Sequence, residues 1–263
     1  MNRVMAVVLA CFSIAARGED WQKKLTPLAI GDFPAMRPLH ATYRFGWSKF
    51  EAANATFDYS KTKEGPMKLE VDAKTVGFVR GLWSMDSTHT AIFDPATLRP
   101  LSALQTEIYK KETLTTKLDF AAEGVARLRE SKPPDKNPPK TKHFKFPGVL
   151  ELYGALLFTR SQPLQKDDTV RLVVYPATDP YLAEIKVRER EKIEVGKKKY
   201  DAIKLDLKLR RITKKLELEP HAKFKRATAW LSDDRDRLLL KIQAEVSVGS
   251  VWTEIESVKF SEP

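Results

Sequence analysis

The chain has 263 residues, a formal net charge of +11 and a single cysteine. The length suffices for one large β domain or two small ones, and one cysteine excludes an intrachain disulfide and a zinc site built from cysteine pairs. The positive charge favours anionic partners such as lipid headgroups or acidic polysaccharide, with a well-solvated basic surface as the simpler interpretation.

The first 18 residues are typical of a secretory signal peptide. Met1-Asn2-Arg3 begins positively, Val4–Ala16 is apolar but short for a membrane span, and Ala16-Arg17-Gly18 supplies small residues at the cleavage positions. We therefore predict an exported protein, periplasmic or secreted, that is not an integral membrane protein and does not bind nucleic acid. Lipidation at Cys11 is the alternative, because Val8–Cys11 loosely resembles a lipoprotein box.

Cleavage after Gly18 would remove Arg3, Cys11 and Arg17 but no acidic residue, and would leave a basic mature chain of net charge +9 without a thiol. Such a chain has to be stabilised by its core rather than by disulfides, and its length permits that. Residues 19–36 contain prolines and predict an irregular lead-in. Residues 37–263 predict a single β-rich domain.

Alternating apolar and polar residues predict successive strands through the first half of this domain. The predicted ranges are 39–47, 51–61, 67–76, 84–93, 101–111, 113–120 and 124–130. Gly77–Trp83 differs, and predicts a short helical turn that packs Phe78, Leu82 and Trp83 over one end of the sheet. Strands joined by short turns indicate an up-and-down antiparallel topology.

A Pro- and Lys-rich segment, residues 131–147, interrupts the pattern and predicts a loop outside the core, either a solvated linker or an anion-contacting arm. Gly148–Arg160 predicts one amphipathic helix, because apolar residues recur there at helical spacing. Packing against the sheet is the expected role of its apolar stripe, and a ligand contact is the alternative.

Further strands are predicted over residues 169–177, 181–195, 200–210, 229–231, 238–248 and 251–260. In Tyr200–Arg210 the apolar residues alternate with charged ones, so one face of the sheet is apolar and the other is wet. The predicted fold is all-β: a large curved antiparallel sheet or open β-barrel, with one packed amphipathic helix.

Short motifs support this pattern and point to a family. The closing strands contain Ala229–Asp234, Leu238–Ile242 and Val248–Val251, and earlier pieces are Phe78–Trp83, Asp94-Pro95, Arg99-Pro100, Leu152–Arg160 and Tyr200–Ile203. Together they resemble the bacterial domain-of-unknown-function 3108 family over roughly residues 37–260. The resemblance implies an exported, mostly β envelope protein of no established activity, from which no site residue can be transferred.

The sequence carries no recognised catalytic or metal-binding motif. Its four histidines (His40, His89, His143 and His221) have no metal-ligand spacing, and neither a G-x-S-x-G elbow nor a phosphate loop occurs. Asp233–Asp236 is the nearest approach to a calcium site, but it lacks the EF-hand spacing and is better explained as a charged hairpin turn. We therefore predict no catalytic residue, no metal and no cofactor.

Aromatic residues of the first hairpin form a candidate ligand patch, with core packing as the alternative; the patch comprises Tyr43, Phe45, Trp47, Phe57 and Tyr59, with Trp83 nearby. An apolar inner face and a basic surface suit a lipid-like ligand with an anionic headgroup. The leading hypothesis is a non-enzymatic carrier of such an amphiphile. The alternative is a structural protein that binds an envelope partner through a sheet edge.

Overall fold

The computed structural model describes residues 20–61, 65–133, 138–221, 224–246 and 249–261. Within these ranges the chain forms one 15-stranded antiparallel sheet, two α-helices and a short 3-10 helix at Trp21–Lys24. The helices are α1 (Gly77–Leu82) and α2 (Leu152–Ser161). The strands are β1 (Leu39–Trp47), β2 (Phe50–Lys61), β3 (Met67–Thr75), β4 (Met85–Phe93), β5 (Pro100–Tyr109), β6 (Thr113–Ala121), β7 (Gly124–Lys132), β8 (Lys142–Lys145), β9 (Thr169–Val174), β10 (Tyr181–Val195), β11 (Lys198–Ile212), β12 (Leu218–Pro220), β13 (Phe224–Ser232), β14 (Leu239–Val246) and β15 (Ser250–Phe260).

The sheet follows chain order on both sides of one long-range pairing. The strands run from β8 back to β1, then from β15 through β14, β13, β11 and β10 to β9, and β12 pairs with β11. The first and last strands, β1 and β15, are therefore neighbours at the centre. This arrangement confirms the predicted all-β, up-and-down fold, and the sheet stays open because β8 and β9 do not pair.

Helix α2 lies against the concave side of this sheet, which we call the inner face. Tyr153 of α2 contacts Phe57 on β2 at 5.7 Å and His89 on β4 at 5.1 Å between ring centroids. At the other end of the helix, Arg160 donates a 2.9 Å hydrogen bond to the carbonyl of Asp236, in the turn before β14. One short helix thus contacts both halves of the sheet, which requires the sheet to curve around it.

Three local predictions are corrected. The helix begins at Leu152 rather than Gly148, because Gly148 has a φ of 71° and Glu151 caps the first turn. The predicted loop at 131–147 is shorter, since Ser131 and Lys132 belong to β7, and residues 142–145 form β8. Residues 134–137 of that loop lie outside the described residues, as do the predicted signal peptide and Cys11.

The third correction concerns α1. Phe78, Leu82 and Trp83 were expected to pack over the sheet, but they are 68%, 71% and 52% exposed. None of the residues in α1 is buried. The segment is apolar without being part of the core.

Charged residues surround the C-terminus of α2 and hold it through hydrogen bonds; we call this group the clasp. Arg237 donates hydrogen bonds to the carbonyls of Arg160 (2.7 Å), Gln162 and Pro163 (3.0 Å), and its guanidinium lies 3.4 Å from the centre of the Phe33 ring. Burial, with Arg160 and Arg190 nearby, lowers the pKa of Arg237 to about 10, so it keeps its charge at neutral pH.

The acidic turn predicted at Asp233–Asp236 belongs to the same clasp. Arg37, directly after the lead-in, donates hydrogen bonds of 2.8 and 2.7 Å to Asp236. Asp234 accepts hydrogen bonds from the backbone N–H groups of Asp236 and Arg237. These hydrogen bonds give the turn a structural role.

We expect Arg237→Ala to lower the free energy of unfolding by about 3 kcal/mol, because three carbonyls lose a buried charged donor. Urea denaturation followed by circular dichroism measures the change. Arg235→Ala is the matched control, since Arg235 is exposed in the same turn, and should change stability by less than about 0.5 kcal/mol. Equal effects of the two substitutions would contradict the clasp.

Candidate functional site

The inner face is uncovered at one end of the sheet, which we call the open end. The β1–β2 turn at Ser48 and Lys49, helix α1 and the β5–β6 turn all lie there, as the strand register requires. Several inward side chains toward this end are partly exposed: Phe45, Ala73, Leu114, Leu207 and Ile242. Deeper inward residues are buried: Tyr43, Val71, Leu205 and Ala229.

The two halves of the inner face differ in polarity. On β4 to β7 a polar row crosses the sheet in register: His89, Gln105, Thr116 and Arg129. On β10 to β14 the inward residues are aliphatic: Ile185, Ile203, Leu205, Leu207, Ala229 and Ile242. The inner face therefore has a polar half on β4 to β7, which we call the polar wall, and an apolar half on β10 to β14, which we call the apolar wall. An amphiphilic molecule has the same division between polar and apolar parts.

Arg127 lies one step deeper on the polar wall, opposite Leu118 of β6. It is only 7% exposed, and its Nε atom has no hydrogen-bond partner. Within the described residues, no carboxylate forms an ion pair with it. Tyr175 is an electrostatic neighbour of Arg127: burial raises the pKa of Tyr175, and the charge of Arg127 partly offsets that rise.

Burying such a guanidinium lowers the free energy of unfolding. A buried charge without a counter-charge destabilises the folded state by several kcal/mol, because it loses its hydration. The other buried arginines differ, since Arg160 and Arg237 donate to several backbone carbonyls. Arg127 is therefore the residue of the inner face that we select as the candidate binding group.

His89 and Glu151 form a buried pair beside the polar wall. Glu151 is fully buried, and its Oε2 accepts hydrogen bonds from the N–H groups of Tyr153 (2.7 Å) and Gly154 (3.2 Å). Its Oε1 lies 3.1 Å from His89 Nε2, without the geometry of a hydrogen bond. The pair fixes the N-terminus of α2 against β4.

This pair bears on chemistry as well as on structure. In the described part of the chain, no group of three His, Cys, Asp or Glu side chains is arranged to hold a metal ion. His89 contacts one carboxylate and the ring of Tyr153, whose pKa is raised first by burial and then by Glu151. We therefore assign His89 and Glu151 a structural role.

The candidate aromatic patch is divided between two places. Tyr43 and Tyr59 are buried, and Tyr43 contacts the half-buried Phe57 at 4.7 Å between ring centroids. Phe45 is inward-facing and partly exposed. Trp47 and Trp83 are exposed at the open end. The six residues are thus divided between the core and the open end, and they do not form a single ligand-binding surface.

A separate cavity of about 250 Å³ lies between the lead-in and β9; its lining includes Leu25, Leu28, Arg99, Arg171 and Val173. Arg171 is already paired with Glu184 at 3.1 Å. The volume is below the range of about 300–1,000 Å³ that is usual for ligand pockets. We therefore place the candidate site on the inner face around Arg127.

Comparison with known structures supports the fold. A β-barrel-like protein of the domain-of-unknown-function 1849 group from Brucella abortus superimposes with a TM-score of 0.59 at 10% identity, covering 88% of this chain and 100% of that one. Two further structures align more weakly. They are a lipoprotein candidate from Parabacteroides distasonis (TM-score 0.34, 8% identity, 88% and 99% covered) and an exported-protein candidate with a YmcC-like fold from Bacteroides fragilis (0.32, 10%, 88% and 100%).

Sequence comparison identifies the family. No curated protein matches the chain. Among the described residues, no helix has the length and apolar character needed to cross a membrane. The family model of the protein of unknown function DUF3108 matches residues 42–256. This match spans most of the sequence and agrees with the motifs in the closing strands, so the chain belongs to the DUF3108 family.

Proposed function

We propose that this chain is an exported envelope protein that binds and carries an amphiphile with an anionic headgroup. The observation that carries the proposal is the buried guanidinium of Arg127, which lacks a counter-charge among the described residues and lies on the inner face. The signal-like first 18 residues support export.

A carboxylate or phosphate would satisfy Arg127 through short, charge-assisted hydrogen bonds. The apolar tail would then extend toward the open end, along the partly exposed side chains of Phe45, Leu207 and Ile242. Burying those side chains against an alkyl chain stabilises the complex by about 25 cal/mol for each Å² of apolar surface removed from water. Headgroup and tail thus have separate partners on one surface.

The alternative, pairing with an envelope partner through a sheet edge, has less support. The edge of β9 is covered by the chain itself: the N–H of Thr26 donates to Arg171, and the N–H of Leu150 to Val173. The other edge, β8, has four residues, of which two are lysines. Short, lysine-bearing edges discourage strand pairing.

The binding prediction uses 11-(dansylamino)undecanoic acid as a fluorescent probe, titrated into the delipidated mature chain. Arg127→Met should weaken binding by about 10- to 100-fold, the loss expected for a buried hydrogen bond to a charged group. Arg235→Met, at an exposed position in the turn before β14 and outside the polar wall, should change binding by less than about threefold.

Competition identifies the headgroup. Dodecanoate and dodecyl phosphate should displace the probe, and their relative potency tells which anion Arg127 prefers. Dodecanol should displace it poorly, because it has no charge to place beside the guanidinium. Equal displacement by dodecanol, or equal effects of the two arginine substitutions, would refute the anion site.

A second prediction concerns stability without ligand. Arg127→Met should raise the free energy of unfolding of the delipidated protein by about 1–3 kcal/mol, because it replaces an uncompensated buried charge with an apolar side chain of similar length. Arg129→Met should stay within about 0.5 kcal/mol of wild type. Urea denaturation measures both variants. A marked loss of stability in Arg127→Met would show that the arginine is structural.

A further inference from the structure

The open end carries a group of exposed apolar side chains. We call this group the apolar rim, and it comprises Trp47 (42% exposed), Phe50 (46%), Phe78 (68%), Leu82 (71%), Trp83 (52%) and Ile108 (49%). Single exposed apolar residues are common on protein surfaces, but a contiguous group marks an interaction surface.

Contacts connect parts of the rim. Phe50, at the start of β2, pairs in register with Trp47 and lies 6.4 Å from Phe78 on α1. Trp83, directly after α1, lies 6.1 Å from Tyr109 at the end of β5. The rim therefore runs across the β1–β2 turn, α1 and the end of β5.

Helix α1 is anchored at its base while its apolar face projects. Arg80 donates hydrogen bonds to the carbonyl of Thr75 (3.2 Å) and to Asp86 (2.6 and 3.1 Å), which fixes the helix to β3 and β4. Phe78 and Leu82 are four residues apart and so share one face of the helix. A β-carbon added at Gly81 would meet no atom within 4 Å. Apart from the contact between Phe78 and Phe50, this face of the helix projects from the sheet in the described part of the chain.

Charge indicates what covers the rim. Lys49, Lys74, Lys110 and Lys111 are exposed around it, and Lys49 lies 5.7 Å from the Phe50 ring centre. The acidic groups nearby are Asp86, which pairs with Arg80; Glu51, which is near Arg44 at 3.7 Å; Glu107, which accepts a hydrogen bond from Tyr109; and the exposed Glu112. Cations therefore exceed free carboxylates around the apolar side chains.

We propose that the apolar rim inserts into the headgroup region of an anionic lipid bilayer. Tryptophan and phenylalanine favour the membrane interface, and flanking lysines are attracted to anionic headgroups. The rim projects from turns and a short helix instead of forming a groove, which suits a deformable lipid surface. This contact goes beyond the proposed carrier function and does not require it.

Vesicle co-sedimentation tests the proposal, with vesicles of phosphatidylcholine alone or mixed with phosphatidylglycerol. The mature chain should bind the mixed vesicles, with a blue shift of tryptophan fluorescence, and raised salt should weaken binding. The Phe78→Ser, Leu82→Ser double variant should bind them at least about tenfold more weakly, since two apolar side chains no longer insert. The control is Leu101→Ser, Leu104→Ser, which removes two similarly exposed side chains of β5 outside the rim and should match wild type.

Three results would overturn the proposal: no binding to mixed vesicles, binding that the rim variant retains, or equal loss in rim and control variants. A wild-type dimer that the rim variant converts to monomer would instead assign the rim to a second copy of the chain. Titration of the rim variant with the dansylated acid in solution separates this test from the carrier proposal. Unchanged probe binding would show that the fold and the inner site are intact.

Discussion

Helix α2 carries buried charge at both ends, and the rest of the fold depends on how those charges are held. Glu151 accepts two N–H groups at the helix N-terminus and approaches His89 on β4, while Arg160 and Arg237 lie at the C-terminus among backbone carbonyls of the lead-in and the helix end. An acid at the start and cations at the end also match the helix dipole. The helix is thereby fixed in position and direction, and the sheet curves around it.

This placement gives the inner face its character. The helix and the lead-in fill one end, so that apolar side chains at the other end stay uncovered. Within the described residues, Arg160 and Arg237 donate hydrogen bonds to backbone carbonyls, whereas the Nε of Arg127 has no hydrogen-bond partner. That buried cation is the observation on which the proposed binding of an anion rests.

Strands and the helix were predictable because their signals are local. A period of two in the strands and the apolar stripe of α2 are properties of the sequence itself. The sequence did not predict Arg127 as an inward residue. Val125, Arg127 and Arg129 occupy alternate positions of β7, and two arginines in such a row are typical of a solvent-exposed face. Only the pairing with Leu118 places Arg127 inside. Glu151 was missed because glutamate is not among the favoured N-caps. The exposure of α1 was also missed, since apolar residues between glycines suggest core unless the tertiary structure shows otherwise.

The most direct measurement is native mass spectrometry of the mature chain purified after export from bacterial cells, with solvent extraction of the same sample. We expect a mass that exceeds the mass of the polypeptide by that of one anionic amphiphile, and the extract should identify this molecule. The Arg127→Met protein should lack it. A bare polypeptide mass for the wild-type chain, with an extract no different from that of the variant, would contradict this expectation.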